Sequence, residues 1–501
     1  MSTALTNRDN LRTSRERLPL IEQVAWPRSI PDLIAAVAAL PHPIVFDSAR
    51  FDQTLGRYSF LSATPFEVIR SRDGFVEIAG PNGESIAACA GDPFSTLSER
   101  LDRYRLDRGD GPPFQGGAAG LFSYDLCRHV ERLPRPRIDE FQIPDLAVGF
   151  YDWVIALDHC ERRAWVVSTG CPETSARAAR RRAFDRLHQA IALLDGCGAR
   201  AEVPRAIQQT TGKRLQAESL APQFPLASEH GEISSNFSRE HFLDTLRRAI
   251  DYIHAGDTYQ VNLAQRLLCP LREHPIELYL RLRERNAAPF AAYFDAGDFV
   301  IASASPERFL RLRDRAVETR PIKGTRPRWP APEADMFSAG ELCESDKDRA
   351  ENVMIVDLLR NDLGRVCEFG SVQVTNPLSL ESYEFVHHLV SEVRGRLRAE
   401  CGPIDLLRAA FPGGSVTGAP KIRAMEIIAE LEPNARGAYC GSLGYIGFDG
   451  SMDTNILIRT FTCSRGWTQF PVGGGIVAES SPEREYEETM HKAEGMIRAL
   501  T

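Results

Sequence analysis

Two acidic segments carry the residues best suited to bind a cation. In SDKDRAENVMIVDLLRND, Asp348 and Glu351 stand three residues apart and therefore share one face of a predicted helix. In SPEREYEETMHKAEGMIRAL, Glu485 and Glu488 repeat this spacing, and Lys492 follows one turn later. Two such helices facing each other would gather four carboxylates around one point, and oxygen is the ligand atom that Mg²⁺ prefers. For a single acidic pair, a solvated helix surface is the alternative.

The rest of each segment indicates how these helices are positioned. In the second segment, Ser481 and Pro482 are predicted as the N-cap and the first helical residue. In the first segment, apolar residues recur at helical spacing after the acidic turns and are expected to anchor the helix in a core. These residues are Val353, Val356, Leu359 and Leu363.

A lysine and a glutamate in the middle of the chain offer acid, base and nucleophile chemistry. Glu307 follows Pro306 at the end of the apolar strand IASAS. Lys323 lies in PIKGT and is predicted to occupy a tight turn. A lysine desolvated there would have a lowered pKa and act as a nucleophile, whereas a solvated surface charge is the ordinary alternative.

Histidines and an arginine provide further polar groups on predicted strands. His387 and His388 lie in FVHHLV, where strand alternation sends them to opposite faces, so one of them can point into a site. Packing and hydrogen bonding within the sheet are the alternative for both. Arg459, in the predicted strand DTNILIRT, could bind a carboxylate through two hydrogen bonds.

Two glycine-rich segments are candidates for anion binding. FPGGSVTGAPK resembles a phosphate-binding loop, but Ala419 and Pro420 separate Gly418 from Lys421, and this mismatch excludes nucleotide binding. Glycine N–H groups at a helix start can still hold an anion. PVGGGIVAES is predicted to form a second such turn through Gly473–Gly475, open to a carboxylate.

The length indicates two domains, or one large domain that carries an elaborate partner, and the composition is ordinary for a soluble globular enzyme. The 501 residues carry a formal net charge of -8, which gives no sign of nucleic-acid binding. No apolar run reaches transmembrane length and no signal peptide is recognisable, so a cytoplasmic location without membrane contact is expected. The 11 cysteines are scattered and predict neither a zinc site nor disulfides.

The order of predicted elements favours an α+β sandwich over a doubly wound sheet. Strand-like runs dominate residues 1–195, and residues 196–236 lose periodicity and are rich in Gln, Thr, Ser, Pro and Glu, as in a linker. A second unit, 237–501, opens with Ser238 as the N-cap of a helix that runs through His254.

Several of these motifs, taken in order, resemble the chorismate-utilising enzymes, which include anthranilate, isochorismate, salicylate and aminodeoxychorismate synthases. The motifs are SPE, PIKGTRPR, DRAENVMIVDLLRND, VHHLVS, AAFPGGSVTGAPKIRAMEII, GSLGYIGF, DTNILIRT and GGGIVAES. They cover roughly residues 237–500, and PFQGGAAGLFSYDL resembles the N-terminal domain of anthranilate synthase component I. The resemblance implies a large two-layer sandwich with an interleaved N-terminal domain and a cleft that holds chorismate and Mg²⁺.

The resemblance also assigns roles residue by residue. Metal binding falls on Glu351, Glu485 and Glu488, and on Asp348, which replaces a glutamate and would act through water. The general acid/base falls on Glu307 and the active-site histidine on His388. Substrate binding falls on Ser415, Tyr439, Arg459, Gly474, Gly475 and Lys492.

Lys323 marks one branch of the resemblance. Anthranilate synthases usually have alanine before this Gly-Thr, whereas enzymes that aminate C4 of chorismate have lysine. The resemblance therefore implies that Lys323 attacks C2 while Glu307 protonates the departing C4 hydroxyl, and that ammonia then enters at C4. The product would be 4-amino-4-deoxychorismate, a precursor of 4-aminobenzoate and folate.

Two other functions are possible for this chain, and one partner subunit is expected. The nearest alternative is anthranilate synthase component I, and a catalytically silent chorismate-binding subunit is the other. The cysteines lie in no context that resembles a glutaminase nucleophile. A separate glutamine amidotransferase subunit is therefore expected to supply the ammonia.

Overall fold

The structure is a computed structural model that describes residues 18–50, 55–196, 212–227, 230–382 and 386–501. Part of the predicted linker therefore lies outside the described residues. None of the helices within these ranges is both long and apolar enough to cross a membrane.

Strands and helices follow one another in an irregular order. The strands are β1 (Leu20–Val24), β2 (Ile44–Asp47), β3 (Tyr58–Ser62), β4 (Glu67–Arg72), β5 (Phe75–Ala79), β6 (Ser85–Ala90), β7 (Gly117–Phe122), β8 (Leu146–Tyr151), β9 (Trp153–Asp158), β10 (Arg163–Ser168), β11 (Phe224–Pro225), β12 (Ser234–Ser235), β13 (Gln260–Pro270), β14 (Phe290–Asp295), β15 (Phe299–Ser305), β16 (Arg308–Arg313), β17 (Ala316–Thr319), β18 (Ile322–Pro327), β19 (Gln373–Ser382), β20 (Val386–Arg396), β21 (Gly418–Ala419), β22 (Ser442–Gly447), β23 (Met452–Asn455), β24 (Thr460–Ser464) and β25 (Trp467–Ile476). The helices are α1 (Ile30–Ala38), α2 (Pro93–Arg103), α3 (Ala176–Gly196), α4 (Arg239–His254), α5 (Pro275–Arg285), α6 (Pro332–Glu344), α7 (Asp346–Gly364), α8 (Pro403–Ala410), α9 (Lys421–Leu431) and α10 (Pro482–Leu500).

The strands form two large sheets. The first has the order β1-β10-β9-β3-β2-β14-β15-β24-β25-β13-β12-β11, with β21 paired to β13. The second has the order β18-β20-β17-β16-β23-β22-β7-β8-β4-β5-β6, with β19 paired to β20. The ladders nearest the predicted site, β13 with β25 and β18 with β20, are antiparallel. This architecture confirms the predicted α+β class.

Both sheets combine strands from the N-terminal and C-terminal parts of the chain. In the first sheet β2 pairs with β14, where Val45 lies opposite Tyr293. In the second sheet β7 pairs with β22, from Phe122 opposite Ser442 to Gly117 opposite Gly447. The N-terminal part is therefore interleaved with the C-terminal part, as expected, whereas the boundaries at 195 and 237 stay a prediction.

The core lies between the sheets and beneath the helices that cover them. Aromatic side chains from both sheets meet in the middle, and the rings of Phe114 and Tyr445 stack with centroids 4.2 Å apart. Helices α1, α3, α5 and α10 pack on the first sheet, and α2, α7 and α8 pack on the second. Burial of these apolar faces fixes α7 and α10, which carry the acidic residues, against different sheets.

Three helices begin at the predicted residues. Ser238 caps α4 and Ser345 caps α7, and each hydroxyl accepts a hydrogen bond from the backbone N–H three residues on. Ser481 is the N-cap of α10, and Pro482 is its first residue. A serine cap that accepts such a bond typically stabilises a helix by about 1 kcal/mol.

The buried face of α7 differs from the prediction at one position. Val353 is 58% exposed, so its assignment to the core is wrong. The other predicted anchors are buried, namely Val356, Leu359 and Leu363. Asn352 and Ile355 are buried with them, and Ser391 Oγ donates a hydrogen bond to Asn352 Oδ1 at 2.5 Å. The helix therefore turns this polar side chain inward, because β20 offers it a partner, and leaves Val353 outside.

Candidate active site

Glu307 occupies the short connection between β15 and β16 and is only 4% exposed. Ser415 Oγ donates a hydrogen bond to Glu307 Oε1 at 2.6 Å. Burial raises the pKa of Glu307 to about 7, although this hydrogen bond and the charge of Lys323 favour the ionised form. A carboxyl group with such a pKa can give or take a proton near neutral pH.

Lys323 lies in a strand, so the prediction of a tight turn is wrong. It belongs to β18, which pairs with β20. Its Nζ donates a hydrogen bond to the Ser415 carbonyl at 3.3 Å and lies 3.8 Å from Glu351 Oε2. Burial lowers the pKa of Lys323, and the charges of Glu351 and Glu307 only partly oppose this shift. The larger fraction of neutral amine makes Lys323 a candidate nucleophile.

A bulge after Lys323 explains why the sequence suggested a turn. The register of β18 against β20 shifts between Lys323 and Thr325, and Gly324 has φ +80°. A Cβ atom at Gly324 would lie 2.7 Å from Leu342 Cδ1 and 3.0 Å from the Asp348 carboxyl carbon. Glycine is favoured here because of both the positive φ and the close approach, and bulges re-aim side chains as turns do.

The two histidines have different partners on β20. His388 Nδ1 lies 2.9 Å from Thr325 Oγ1, on the strand that carries Lys323. Burial lowers the pKa of His388 to about 4, and the charge of Arg459 adds to the shift, so the ring is neutral near pH 7. His387 Nε2 lies 3.0 Å from Asp335 on α6. Of the pair, His388 is therefore the one next to the predicted nucleophile.

Arg459 does not lie in a strand, which corrects the prediction. It occupies a bend between β23 and β24 with φ +52°, and its carbonyl accepts a hydrogen bond from the Ala304 N–H at 3.0 Å. Within the described ranges its guanidinium has no hydrogen-bond or ion-pair partner. Tyr439 is buried and close enough to interact with it electrostatically. A half-buried guanidinium without an anion is suited to bind a carboxylate.

The glycines Gly473–Gly475 form part of β25 and not the predicted turn. They pair with β13, and Gly475 lies opposite Asn262. A Cβ atom at Gly475 would collide with the side-chain amide of Gln260. Glycine at this position thus reflects contact across the sheet, a cause that a local turn pattern does not reveal.

Gly474 lies beside the charged residues of α10. A Cβ atom there would lie 3.5 Å from Glu485 Oε2 and 3.6 Å from Lys492 Nζ. Lys492 Nζ also donates a hydrogen bond to the Gly473 carbonyl at 3.1 Å. The missing side chain therefore leaves a gap between the strand and the acidic end of α10.

The carboxylates predicted as metal ligands pair with basic side chains. Lys347 Nζ lies 3.2 Å from Glu485 Oε1 and 4.0 Å from Glu351 Oε1, so it bridges α7 and α10. Lys492 Nζ lies 2.7 Å from Glu488 Oε1, and this pairing lowers the pKa of Glu488 although burial opposes the shift. These contacts neutralise the acidic residues in pairs.

Asp348 is paired with a basic side chain of its own, since Arg326 Nη2 lies 3.3 Å from Asp348 Oδ2. In the part of the chain that the structure describes, no group of three or more His, Cys, Asp or Glu side chains is placed to hold a metal ion. The four carboxylates therefore do not meet around one point, because basic side chains lie between them. Their oxygens and the gap at Gly474 nevertheless fit Mg²⁺, which typically takes one or two carboxylates, water and a substrate oxygen. The metal ligands stay a prediction.

Three residues make contacts in this site that were not anticipated from the sequence. Ser415, expected to bind substrate, contacts Glu307 through its hydroxyl and Lys323 through its carbonyl. Thr325 contacts His388, and Lys347 bridges the acidic helices. Thr325 lies in the PIKGT motif and Lys347 one turn before Glu351, but neither position reveals a partner that is distant in sequence.

Comparison with known proteins identifies the family. Residues 62–498 match the family described as chorismate binding enzyme. Aminodeoxychorismate synthase component 1 from Klebsiella aerogenes is 39% identical over 485 residues, which cover 96% of this chain and 99% of that protein. Anthranilate synthase component 1 from Thermus thermophilus is 42% identical over 444 residues, 89% of each chain.

A solved structure agrees with these relatives. Anthranilate synthase component I from Streptococcus pneumoniae superposes with a TM-score of 0.74 at 31% identity, covering 90% of this chain and 94% of that one. The predicted sandwich of the chorismate-binding type is thereby confirmed. The chain therefore belongs to the chorismate binding enzymes and is itself a chorismate-utilising enzyme.

Proposed function

We propose that this enzyme aminates chorismate at C4 with ammonia and forms 4-amino-4-deoxychorismate through a covalent Lys323 adduct. The observation that carries the proposal is the buried Lys323 amine, held by the Ser415 carbonyl within a site that also contains the protonatable Glu307. Four relatives named aminodeoxychorismate synthase component 1 match 92% or more of the chain. Their activity is consistent with this chemistry.

The first half of the reaction uses Lys323 and Glu307. The neutral Lys323 Nζ forms a bond to C2, both conjugated ring double bonds shift, and the C4–O bond breaks. Protonated Glu307 gives its proton to the departing oxygen, so that water leaves instead of hydroxide. Since burial raises the pKa of Glu307 to about 7, a substantial protonated fraction exists at neutral pH.

The second half releases the enzyme. Ammonia forms a bond to C4, both double bonds shift back, and the bond between C2 and Lys323 Nζ breaks. The secondary ammonium formed on attack departs as the neutral Lys323 amine, and the proton lost by ammonia restores Glu307. The balance is one chorismate and one ammonia consumed for one 4-amino-4-deoxychorismate and one water.

Positioning of chorismate depends on its two carboxylates. Arg459 would bind one of them, beside Tyr439 and the strand at Gly475, because its guanidinium has no anion among the described residues. Lys492, beside Gly474, would bind the other. Mg²⁺, held by Glu351, Glu485 and Glu488 with Asp348 acting through water, would add positive charge at that second carboxylate.

The nitrogen source in this proposal is a glutamine amidotransferase subunit that delivers ammonia. Glutamine hydrolysis commonly needs an activated thiolate. Burial raises the pKa of Cys127 and of Cys440 to about 12, which keeps both as thiols. The pathway consistent with the product is 4-aminobenzoate and folate biosynthesis in the cytoplasm.

Anthranilate synthesis is the second candidate, and it is supported by the 42% identity to the Thermus thermophilus anthranilate synthase. Both reactions start from chorismate and ammonia and would use the same acids and cations. They differ in whether the nitrogen is added at C4 or at C2. Lys323 supports C4 in this proposal, since its covalent attachment would block C2 during the addition of ammonia.

Product identification tests the proposal. The purified chain is supplied with chorismate, Mg²⁺ and either ammonium or glutamine, and products are separated and identified by mass. We expect 4-amino-4-deoxychorismate with ammonium and no product with glutamine alone. Anthranilate as the main product would support the alternative, and unchanged chorismate with ammonium would support a silent binding subunit. Glutamine-dependent amination by the isolated chain would refute the need for a partner.

A further inference from the structure

The contact of Lys347 with two carboxylates points beyond the proposed chemistry. Lys347 is the second residue of α7, and its ammonium lies 3.2 Å from Glu485 on α10 and 4.0 Å from Glu351 on its own helix. One cation thus lies between carboxylates from two helices. A metal ion held by the same residues would therefore compete with this ammonium.

Glu485 is more deeply buried than Glu351, whose side chain is 13% exposed. The Glu485 side chain is only 5% exposed, whereas that of Lys347 is 46% exposed. A buried carboxylate needs hydrogen bonds or an opposite charge. Glu485 Oε1 has the Ser480 hydroxyl at 2.6 Å and the Lys347 ammonium. Lys347 is thus the charged group that compensates the burial of Glu485.

Charge balance extends this observation to the whole acidic cluster. The three carboxylates Glu351, Glu485 and Glu488 each contact a lysine side chain. These side chains belong to Lys323, Lys347 and Lys492. With Lys323 as the neutral amine, the cluster carries one negative charge without a metal ion, and a divalent cation would leave it with one uncompensated positive charge. The carboxylates of chorismate would compensate this charge.

We propose that the Lys347 ammonium is an internal counterion that a divalent cation must displace from Glu485 and Glu351, so that the cation binds weakly until chorismate is present. This inference rests on the Mg²⁺ site of the proposed function. Lys347 acts here as a positioning residue, because it contacts the ligands of the metal and not the substrate. By linkage, the cation must increase chorismate affinity by the same factor as chorismate increases cation affinity.

The test uses the full chain and Mn²⁺ alone as a spectroscopic substitute for Mg²⁺. Free Mn²⁺ is measured by electron paramagnetic resonance, with and without chorismate and in the absence of ammonium. We expect Lys347→Met to bind Mn²⁺ about tenfold more tightly than the natural chain without chorismate. The factor by which chorismate increases Mn²⁺ affinity should fall by a similar amount.

Arg349→Met is the matched control, since Arg349 is exposed on the same turn and donates to the Cys343 carbonyl instead of contacting these carboxylates. It removes one positive charge from α7 and should leave Mn²⁺ affinity unchanged. A second measurement concerns folding: Mn²⁺ should raise the melting temperature of Lys347→Met more than that of the natural chain, because the ion replaces the lost ammonium.

The outcomes separate this inference from the proposed function. Equal or weaker Mn²⁺ binding by Lys347→Met, with chorismate-dependent Mn²⁺ binding in the natural chain, would overturn the role of Lys347 and leave the metal site standing. Tighter binding by Arg349→Met to the same extent would also overturn it, since the effect would then be general electrostatics. Absence of Mn²⁺ binding in every chain, with chorismate or without, would overturn both.

Discussion

Glu307 and Lys323 differ from the carboxylates of α7 and α10 in what surrounds their charged groups. Glu307 and Lys323 are buried on or beside strands, where burial raises the pKa of the acid and lowers that of the amine. The carboxylates at the N-terminal turns of α7 and α10 are instead paired with lysines, as Glu485 is with Lys347 and Glu488 with Lys492.

This difference indicates that Glu307 and Lys323 act in the reaction, whereas the carboxylates of the two helices act in binding. A buried acid or amine whose charged form is destabilised has a pKa closer to neutral pH. It can therefore give or take a proton while bonds are made and broken. Groups whose charges are balanced can exchange one cation for another and suit the binding of an ionic substrate. Substitution of Glu307 or Lys323 should therefore abolish turnover. Substitution of the helix carboxylates should instead change the concentration of metal ion or substrate that the enzyme needs.

The largest effect is expected for Lys323→Ala. Removal of the nucleophile should lower the rate of 4-amino-4-deoxychorismate formation by about a thousandfold or more, while circular dichroism stays unchanged. Lys213→Ala, at an exposed lysine, is the control and should retain full activity. An undiminished rate in Lys323→Ala without an added amine would refute the covalent adduct.

Glu307→Gln should have the next largest effect. The amide keeps the shape of the side chain but cannot give a proton, so turnover should fall by about 10²–10⁴-fold. Chorismate affinity, measured by calorimetry without ammonium, should change little because Glu307 is assigned to the reaction and not to binding. A large loss of chorismate affinity with a small loss of turnover would contradict this assignment and would place Glu307 in binding.

Glu351→Gln should act mainly through the metal. The substitution should raise the Mg²⁺ concentration needed for half-maximal activity by about 10- to 100-fold, and chelator should abolish activity until Mg²⁺ returns. Glu344→Gln provides a control at an exposed glutamate near the end of α6. Full activity of Glu351→Gln at low Mg²⁺ would refute Glu351 as a metal ligand and favour the alternative that these acidic residues form a solvated helix surface.

The smallest effect is expected for Ser415→Ala. The Ser415 hydroxyl bonds to the carboxylate form of Glu307, so its loss should raise the pKa of Glu307 above its value of about 7. The protonated form then persists to higher pH, which infrared titration of the carboxyl band can follow with Glu307→Gln as the reference. Ser415→Thr should restore the original titration, and an unchanged pKa in Ser415→Ala would refute the role of this hydrogen bond.

Local patterns predicted the acidic helices better than the strands of the site. The helix starts at Ser345 and Ser481 depend on neighbours within one turn, so spacing was sufficient to find them. The glycines of β25 and the bulge at Gly324 depend on contacts across a sheet, and both were predicted as turns. Arg459 was placed in a strand because the bend before β24 has no local signal in its sequence.

The contacts within the site could not be predicted from spacing. Ser415 lies 92 residues from Lys323 and 108 from Glu307, yet it contacts both. The resemblance to the family named these residues together but gave no geometry. The dual role of Ser415 emerges only from the packing of the segment between α8 and α9 against β18.

The ladders β2–β14 and β7–β22 have a consequence for fragments of the chain. A fragment that begins at residue 237 retains Lys323, Glu307 and both acidic helices, but it lacks the strands that cover β14 and β22. The backbone N–H and C=O groups of those strands would become open edges, which recruit strands from other molecules. Such a fragment should aggregate when expressed alone, and co-expression with residues 1–195 as a separate chain should restore it by supplying the missing strands.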